Sequence, residues 1–294
     1  MEFDYNSYKE YLLTSRKLSK ATYEAYISDL DKFFQYCSSA GIAKPEAVKT
    51  ADLTKYIKHL KNDSLSDSTI NRTISSIKSY YRFLYQNNAI NYNITTDFKP
   101  VTANNATPEI LEREEVLRLL EAPSGESIKT KRDRVMLEML YATGMKVSEL
   151  TGILLENVNL RFNIVKISSG KHERTVPIYP DAAAHLSEYI KIFRPAIADG
   201  NTDLLFTNLN GSPLSRQGVW KIIKQYAEKA GIDKTITPQT LRHSFAVHLL
   251  ENGADINDIK EMMGHLDISS TMYYSNLLKN KFNKGYAKYH PLSK

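Results

Sequence analysis

One cysteine, Cys37, is all that the 294 residues contain, so no internal disulfide can form. Its neighbours Phe33, Phe34 and Tyr36 suit a small buried hydrophobe, and packing in a core is the role expected of it. Glycine and proline are sparse at 12 and 10 residues, which excludes a collagenous or linker-dominated chain. No apolar run approaches the roughly 18 residues that cross a bilayer. The start, Met1-Glu2-Phe3-Asp4, is acidic where a secretory signal is basic and then apolar, so a cytoplasmic protein without a membrane partner is expected. Fingerprints of bound groups are missing too. There is no G-x-G-x-x-G, no P-loop, no H-E-x-x-H and no cysteine cluster, so neither a cofactor nor a metal is expected.

What is present begins with apolar material. Hydrophobic residues make up 42% of the chain, enough for one or two ordinary cores. Lys and Arg number 39 against 33 Asp and Glu, a net charge of +6, which permits a polyanionic partner without demanding one. Function must be sought in local sequence.

Residues 1–97 read as helix throughout. Ser19 is positioned to cap a helix over 20–39, with Tyr23, Tyr26, Ile27, Leu30, Phe33 and Phe34 at spacings of three and four and Gly41 as its stop. A second helix spans 51–62. A third starts from a cap at Asp67 and reaches 86, with Ile70, Ile74, Ile77, Tyr81 and Leu84 on one stripe. Over 98–109 the periodicity lapses, and Pro100, Thr102, Asn104 and Asn105 offer the turn chemistry of a linker.

From 110 onward the pattern mixes types. Helices are expected over 112–121, over 131–142 with a stop at Gly144, over 147–150, after Ser215 to about 230, and from the Thr237-Pro238 start to about 251. Two β-like runs, 164–167 and 174–178, flank Ser168-Ser169-Gly170-Lys171-His172, five residues that suit a hairpin loop, and 204–206 is a candidate third strand. The expected class is mainly α with a small β-hairpin or sheet. Its organisation is a helical domain over 1–97, a linker over 98–109 and an α+β domain over 110–294. Met145, Leu137, Leu140 and Tyr141 are read as core. His243 and His248 lie five apart on one helix, poor spacing for shared ligation, and are read singly as surface or core residues.

The most informative stretch is Thr237-Pro238-Gln239-Thr240-Leu241-Arg242-His243, followed by Gly264-His265-Leu266-Asp267 and Ser270-Thr271-Met272-Tyr273-Tyr274. Around it stand Tyr141-Ala142-Thr143-Gly144-Met145-Lys146-Val147-Ser148-Glu149-Leu150, Glu173-Arg174-Thr175-Val176-Pro177, Ala230-Gly231-Ile232 and the closing His290-Pro291. This ordered set resembles the tyrosine site-specific recombinases, especially the Xer type that resolves chromosome dimers in chromosome partition. Segments 18–30 and 68–84 resemble the family's helical, SAM-like core-binding domain, so the likeness runs along nearly the whole chain.

The resemblance implies a two-domain, C-shaped clamp on duplex DNA. In the family a tyrosine hydroxyl attacks the scissile phosphate, leaving a 3′-phosphotyrosyl link and a free 5′-hydroxyl that attacks a partner strand. Neither metal nor nucleotide is required, because the covalent intermediate conserves the bond energy. Two arginines neutralise the non-bridging oxygens, a histidine and a further His/Trp assist, and a hairpin lysine protonates the leaving oxygen.

Carried over position by position, Tyr274 falls on the nucleophile, nine residues after His265, which falls on the His/Trp position. Arg242 falls on the second arginine. The first is Lys146, which keeps the charge but not the planar fork that grips two oxygens. Gln239 stands where the family has histidine and can donate a hydrogen bond without moving a proton at neutral pH. Ser169 occupies the hairpin-lysine position, while Lys171, two residues on and preceded by Gly170, is the candidate general acid. Lys146 is alternatively an i,i+3 salt-bridge partner of Glu149.

For DNA contact, Arg72, Lys78 and Arg82 are interleaved with Ser68, Asn71, Thr73 and Ser75, and Arg216 and Lys221 with Ser215 and Gln217. The resemblance further implies synapsed recombinase protomers, with a basic C-terminal segment over 279–294 exchanged between neighbours in a tetramer, alike or paralogous. Two readings remain open at this point: a working site-specific recombinase, or a catalytically silenced DNA-binding relative with an architectural or regulatory role.

Overall fold

The computed structural model describes residues 5–101, 109–170, 172–198, 202–264 and 271–274. The chain folds into two compact units that divide between Ala106 and Thr107.

The first unit is helical: α1 (Tyr5–Thr14), α2 (Lys20–Ser39), a 3-10 turn at Pro45–Ala47, α3 (Thr50–Asn62) and α4 (Asp67–Gln86). Ser19 caps α2 by accepting the Thr22 N–H. Ser66, one residue before the expected cap, does the same for α4 with Thr69, which leaves Asp67 in the first turn where its charge complements the helix dipole. The α4 stripe Ile70, Ile74, Ile77, Tyr81 and Leu84 is buried, against Leu30, Phe33 and Cys37 of α2 and Tyr8 and Leu12 of α1. Cys37 is closed off, and burial pushes its thiol up to about 11, so it packs rather than reacts. A buried carboxylate, Asp29, ties α2 to α4. It accepts a fork from Arg72, at 2.8 and 3.0 Å, and the Ser76 hydroxyl at 3.0 Å, the pairing that makes a charge tolerable there.

The second unit contains α5 (Arg113–Glu121), α6 (Ile128–Thr143), α7 (Val147–Leu150), β1 (Val158–Asn159), β2 (Ile164–Ser169), β3 (His172–Pro177), α8 (Pro180–Glu188), α9 (Pro195–Ala198), α10 (Arg216–Lys229), α11 (Pro238–Glu251) and α12 (Ile256–Met263). The strands form one antiparallel sheet in the order β1-β2-β3. Val165, Ile167 and Val176 turn inward against α6, whose Val135, Met136, Leu137, Met139 and Leu140 form the centre of the core. With so much of its circumference buried, α6 has little amphipathic contrast. Its start at Ile128, after a Ser127 cap, lies ahead of the expected boundary for that reason.

Two strand expectations are corrected. The hairpin has no five-residue loop: Ser169 pairs with His172, leaving 170 and 171 as the connection, because polar residues can extend a ladder that apolar alternation does not announce. Leu204 to Phe206 is not a strand of the sheet. Leu205 and Phe206 are both buried, which breaks the period of two, and only an isolated bridge joins Leu204 to Leu154. The Leu204 carbonyl is instead bound by Arg194 at 2.7 and 2.9 Å. That arginine follows a π-helical turn, Tyr189–Phe193, that no simple periodicity announces. Among the described residues no helix is long and apolar enough to cross a membrane.

Gly144 ends α6 in the left-handed conformation, φ +58°, with its N–H on the Leu140 carbonyl at 3.1 Å and its α-carbon against the Phe245 ring of α11. A methyl group there meets both the left-handed penalty and the ring. Gly144→Ala is therefore expected to lower the stability of the second unit by about 2–4 kcal/mol, read as a lower urea midpoint with unchanged slope. A midpoint equal to the parent's contradicts this packing.

Candidate active site

Four stretches far apart in sequence converge in the second unit around a cavity of about 610 Å³. They are the 145–148 turn, the start of α10 at Arg216, the first turns of α11, and the helical turn over 271–274. Thr237 caps α11 by accepting the Thr240 N–H, and Pro238 occupies the position where a missing N–H costs nothing. Gln239, Arg242 and His243, three and four residues apart, then fall on one face and line the cavity.

Arg242 is buried, with 7% of its surface exposed. Its guanidinium donates to the carbonyl of Gly144 and, at 2.6 Å, to that of Met263. Both acceptors lie where helices end, α6 at Gly144 and α12 before the left-handed Gly264, φ +64°. Helix C-termini leave carbonyls without intrahelical partners and carry partial negative charge, so they suit a cation. Burial pushes the guanidinium's pKa down while Glu149 and Tyr274 pull it up, and an arginine so held stays charged.

Behind the cavity wall lies an ion pair. Arg174 of β3 forks onto Glu149 of α7 at 2.8 and 3.0 Å and donates through Nε to the Met262 carbonyl at 2.5 Å. Glu149 also accepts the main-chain N–H of Lys146 at 2.8 Å. Burial alone raises the Glu149 pKa, but the Arg174 fork, the Lys146 N–H and the charges of Arg174 and Arg242 outweigh it and hold the carboxyl below its ordinary value. The expected Lys146–Glu149 side-chain pair gives way to Arg174, whose planar fork matches a carboxylate, and Lys146 stands exposed on the cavity wall.

Tyr274 is 3% exposed, yet it contributes to the cavity lining. Its hydroxyl and Nδ1 of His243 are hydrogen-bonded at 2.9 Å, with ring centroids 5.5 Å apart. Burial raises the phenol's pKa against the pull of Arg242. Burial and then Arg242 lower that of His243. Tyr273, its neighbour, does not line the cavity and packs edge-on against Tyr274.

The remaining candidates divide. Gln239 and Arg216 are exposed on the cavity wall, and Lys221 is exposed further along α10. Ser169 is the last residue of β2. On α4, Arg82 is exposed, Lys78 is half-buried, and Arg72 is engaged with Asp29 while nearly half its side chain remains exposed. His265, Lys171 and the C-terminal segment lie outside the described residues. Sequence reasoning passed over Glu149, Arg174 and His243 as working parts. Their partners are 25 or more residues away, and no periodicity carries such contacts; the only signal was the Glu173-Arg174 phrase.

The model of the phage integrase family matches residues 109–281, and that of its N-terminal SAM-like domain matches residues 5–88. The chain belongs to the phage integrase family. It is 40% identical over 293 residues to tyrosine recombinase XerD of Staphylococcus aureus, covering 99% of each chain. Among solved structures it resembles XerA recombinase, with 26% identity, a TM-score of 0.55 and 98% and 99% of the two chains covered. It shares the fold of XerH site-specific recombinase bound to a palindromic difH substrate, at a TM-score of 0.78 and 21% identity over 92% and 81% of the chains. Its architecture, mainly helical with a small antiparallel sheet, is that of the integrases.

The ion pair behind this integrase's cavity has a pH signature. A carboxyl whose folded pKa is depressed contributes stability that is complete above the ordinary value, about 4.5 for glutamate, and is lost as pH falls through the folded value. Glu149→Gln is expected to cost about 3 kcal/mol at neutral pH. That deficit against the parent should narrow only below about 4.5. Urea titrations of both proteins across the acid range check it, and a deficit independent of pH contradicts a charged Glu149.

Proposed function

We infer that this protein is a XerD-like tyrosine recombinase that cuts and rejoins duplex DNA at a specific site through a 3′-phosphotyrosyl intermediate. The observation that carries the reading is the convergence of a buried guanidinium, Arg242, and a phenol, Tyr274, on one cavity in a chain 40% identical to XerD. In this reading Tyr274 attacks the phosphorus, and Arg242, fixed by two helix ends, stabilises charge on a non-bridging oxygen. Lys146 supplies the second positive charge as a point rather than a fork, and Gln239 donates a hydrogen bond. His265 assists, and Lys171, with Ser169 at the family's lysine position, is the general acid.

Arg216 and Lys221 of α10 and Arg72, Lys78 and Arg82 of α4 are the proposed phosphate contacts. Recombination brings further protomers, alike or paralogous, into a tetramer joined by exchange of the C-terminal segment, and the work is done in the cytoplasm. A second reading rests on Lys146, Gln239 and Ser169, three departures from the family's set. It keeps site binding and synapsis and loses strand cleavage.

A nicked suicide duplex carrying the site that the protein enriches from a randomised duplex pool separates the two. The recombinase forms a covalent protein–DNA band that Tyr274→Phe abolishes. Tight binding with no band in the parent, and a band once Lys146→Arg, Gln239→His and Ser169→Lys are combined, supports the silenced form. In either case phosphate neutralisation governs affinity, which should fall on the order of a thousandfold between low and moderate salt, measured by filter binding. An affinity indifferent to salt is incompatible with the proposed contacts.

A further inference from the structure

We propose that His243 is the catalytic base of the cleavage step, taking the phenolic proton of Tyr274 on Nδ1 as the hydroxyl attacks. The inference rests on Tyr274 being the nucleophile. It assigns to this chain a proton acceptor that Gln239, an amide, cannot be.

The need for an acceptor follows from the nucleophile's surroundings. A buried phenol holds its proton at neutral pH more firmly than a free one, and attack on phosphorus must release it. The acceptor must lie within hydrogen-bond reach of the hydroxyl and face the space where the phosphate sits. His243 meets both conditions, with Nδ1 2.9 Å from the hydroxyl and its side chain on the cavity wall. His248, a little over one turn along α11, makes a bond of the same length to the Tyr141 hydroxyl but does not line the cavity. A histidine–tyrosine bond is thus a structural device of this helix in one place. In the other it opens on the reaction volume.

The charges around His243 keep it ready. Lys146 beside α7, Arg216 on α10 and Arg242 on α11 share its cavity, with Tyr274 against its ring, Tyr273 behind that phenol and Glu149 engaged by Arg174 beyond Arg242. Burial and then the charge of Arg242 favour the neutral imidazole, which with its proton on Nε2 leaves the Nδ1 lone pair facing the phenol. The arriving phosphodiester adds negative charge to the same cavity and offsets those cations. The imidazole's proton affinity therefore rises when DNA is seated, and the base strengthens only when there is a phosphate to attack.

The step balances. A bond forms between the Tyr274 oxygen and phosphorus, and the bond from phosphorus to the 5′-oxygen breaks with its electron pair on that oxygen. The phenolic proton passes to His243 Nδ1, and the 5′-oxygen takes its proton from the general acid of the proposed function. Rejoining reverses each transfer.

The test is single-turnover adduct formation on the nicked suicide duplex across about pH 5 to 8. The parent's second-order rate should fall on the acid side with a midpoint below 6.5, the ordinary histidine value. His243→Ala should slow adduct formation by about 10²–10⁴-fold and remove that acid limb. His243→Asn, which keeps a hydrogen-bonding side chain and guards against misfolding, should do the same. Replacing Tyr274 by 3,5-difluorotyrosine, whose phenol is more acidic, should restore most of the rate in the His243→Ala protein. A 5′-bridging phosphorothiolate, which relieves only the leaving group, should not. His248→Ala is the control and should leave rate and pH profile unchanged.

A His243→Ala rate within about threefold of the parent with the same acid limb overturns the proposal, as does a loss that the fluorinated tyrosine fails to rescue. A parent that forms no adduct overturns the assignment of Tyr274, and this one with it. An adduct lost in Tyr274→Phe but formed at the parent's rate in His243→Ala overturns this one alone.

Discussion

The candidate site depends on a guanidinium that has been taken out of water. Arg242 is buried to within a few per cent, and a charge in that position costs several kcal/mol unless it is fully bonded. The fold meets that cost with two carbonyls at the ends of α6 and α12, both of which terminate through a left-handed glycine. A residue with a β-carbon at position 264 would press on Arg174, and one at position 144 on Phe245, so the terminations and the packing behind them are a single constraint. Glu149 and Arg174 complete it by pinning the 145–148 turn to β3 and to the carbonyl of Met262. The charged fork is consequently fixed by the fold itself, which is the condition for electrostatic stabilisation without reorganisation.

That arrangement bears on the substituted positions. Lys146 and Gln239 are exposed on the cavity wall, while Arg242, Glu149 and Arg174 lie behind it. An exposed side chain of the wrong shape leaves the supporting network intact, because it carries no buried partner that would be left unpaired. Exchanging arginine for lysine at 146 therefore changes the charged group offered to the cavity without changing how the cavity is built, and the backbone N–H of residue 146 holds Glu149 whatever side chain it bears. The same reasoning separates Arg72 from Arg82 in the first unit. Arg72 is committed to a buried carboxylate and tethers two helices, whereas Arg82 is exposed on the same helix.

Much of this fold is legible in the chain because its helices are amphipathic or explicitly capped. The Ile70, Ile74, Ile77, Tyr81, Leu84 stripe, the Ser19 cap and the Thr237-Pro238 start each state a local rule that folding obeys. What escapes reading is non-local. The apolar run Leu204-Leu205-Phe206 imitates a strand, polar pairing extends the hairpin past its apolar residues, and a π-helical turn carries α8 on towards α9. Motif spacing marks Arg242, Tyr274, Lys146 and Gln239 as a group, and the cavity gathers them. It does not reveal that Glu149 answers Arg174 or that His243 meets Tyr274, since those contacts span 25 and 31 residues and pass through the tertiary packing.

The electrostatics of the cavity set a sequence of events. Lys146, Arg216 and Arg242 lie around a phenol held protonated and an imidazole held neutral, so the charge on the cavity wall itself is positive. On the proposed function a duplex phosphate enters this cavity, and its charge lowers the energy of every cation at once. It also raises the imidazole's affinity for a proton, as any added negative charge must. On the proposed roles, nucleophile, base and charge stabilisers all respond to one entry event. If Tyr274 is the nucleophile, as proposed, the burial that leaves it 3% exposed and raises its pKa is also what makes a neighbouring proton acceptor necessary.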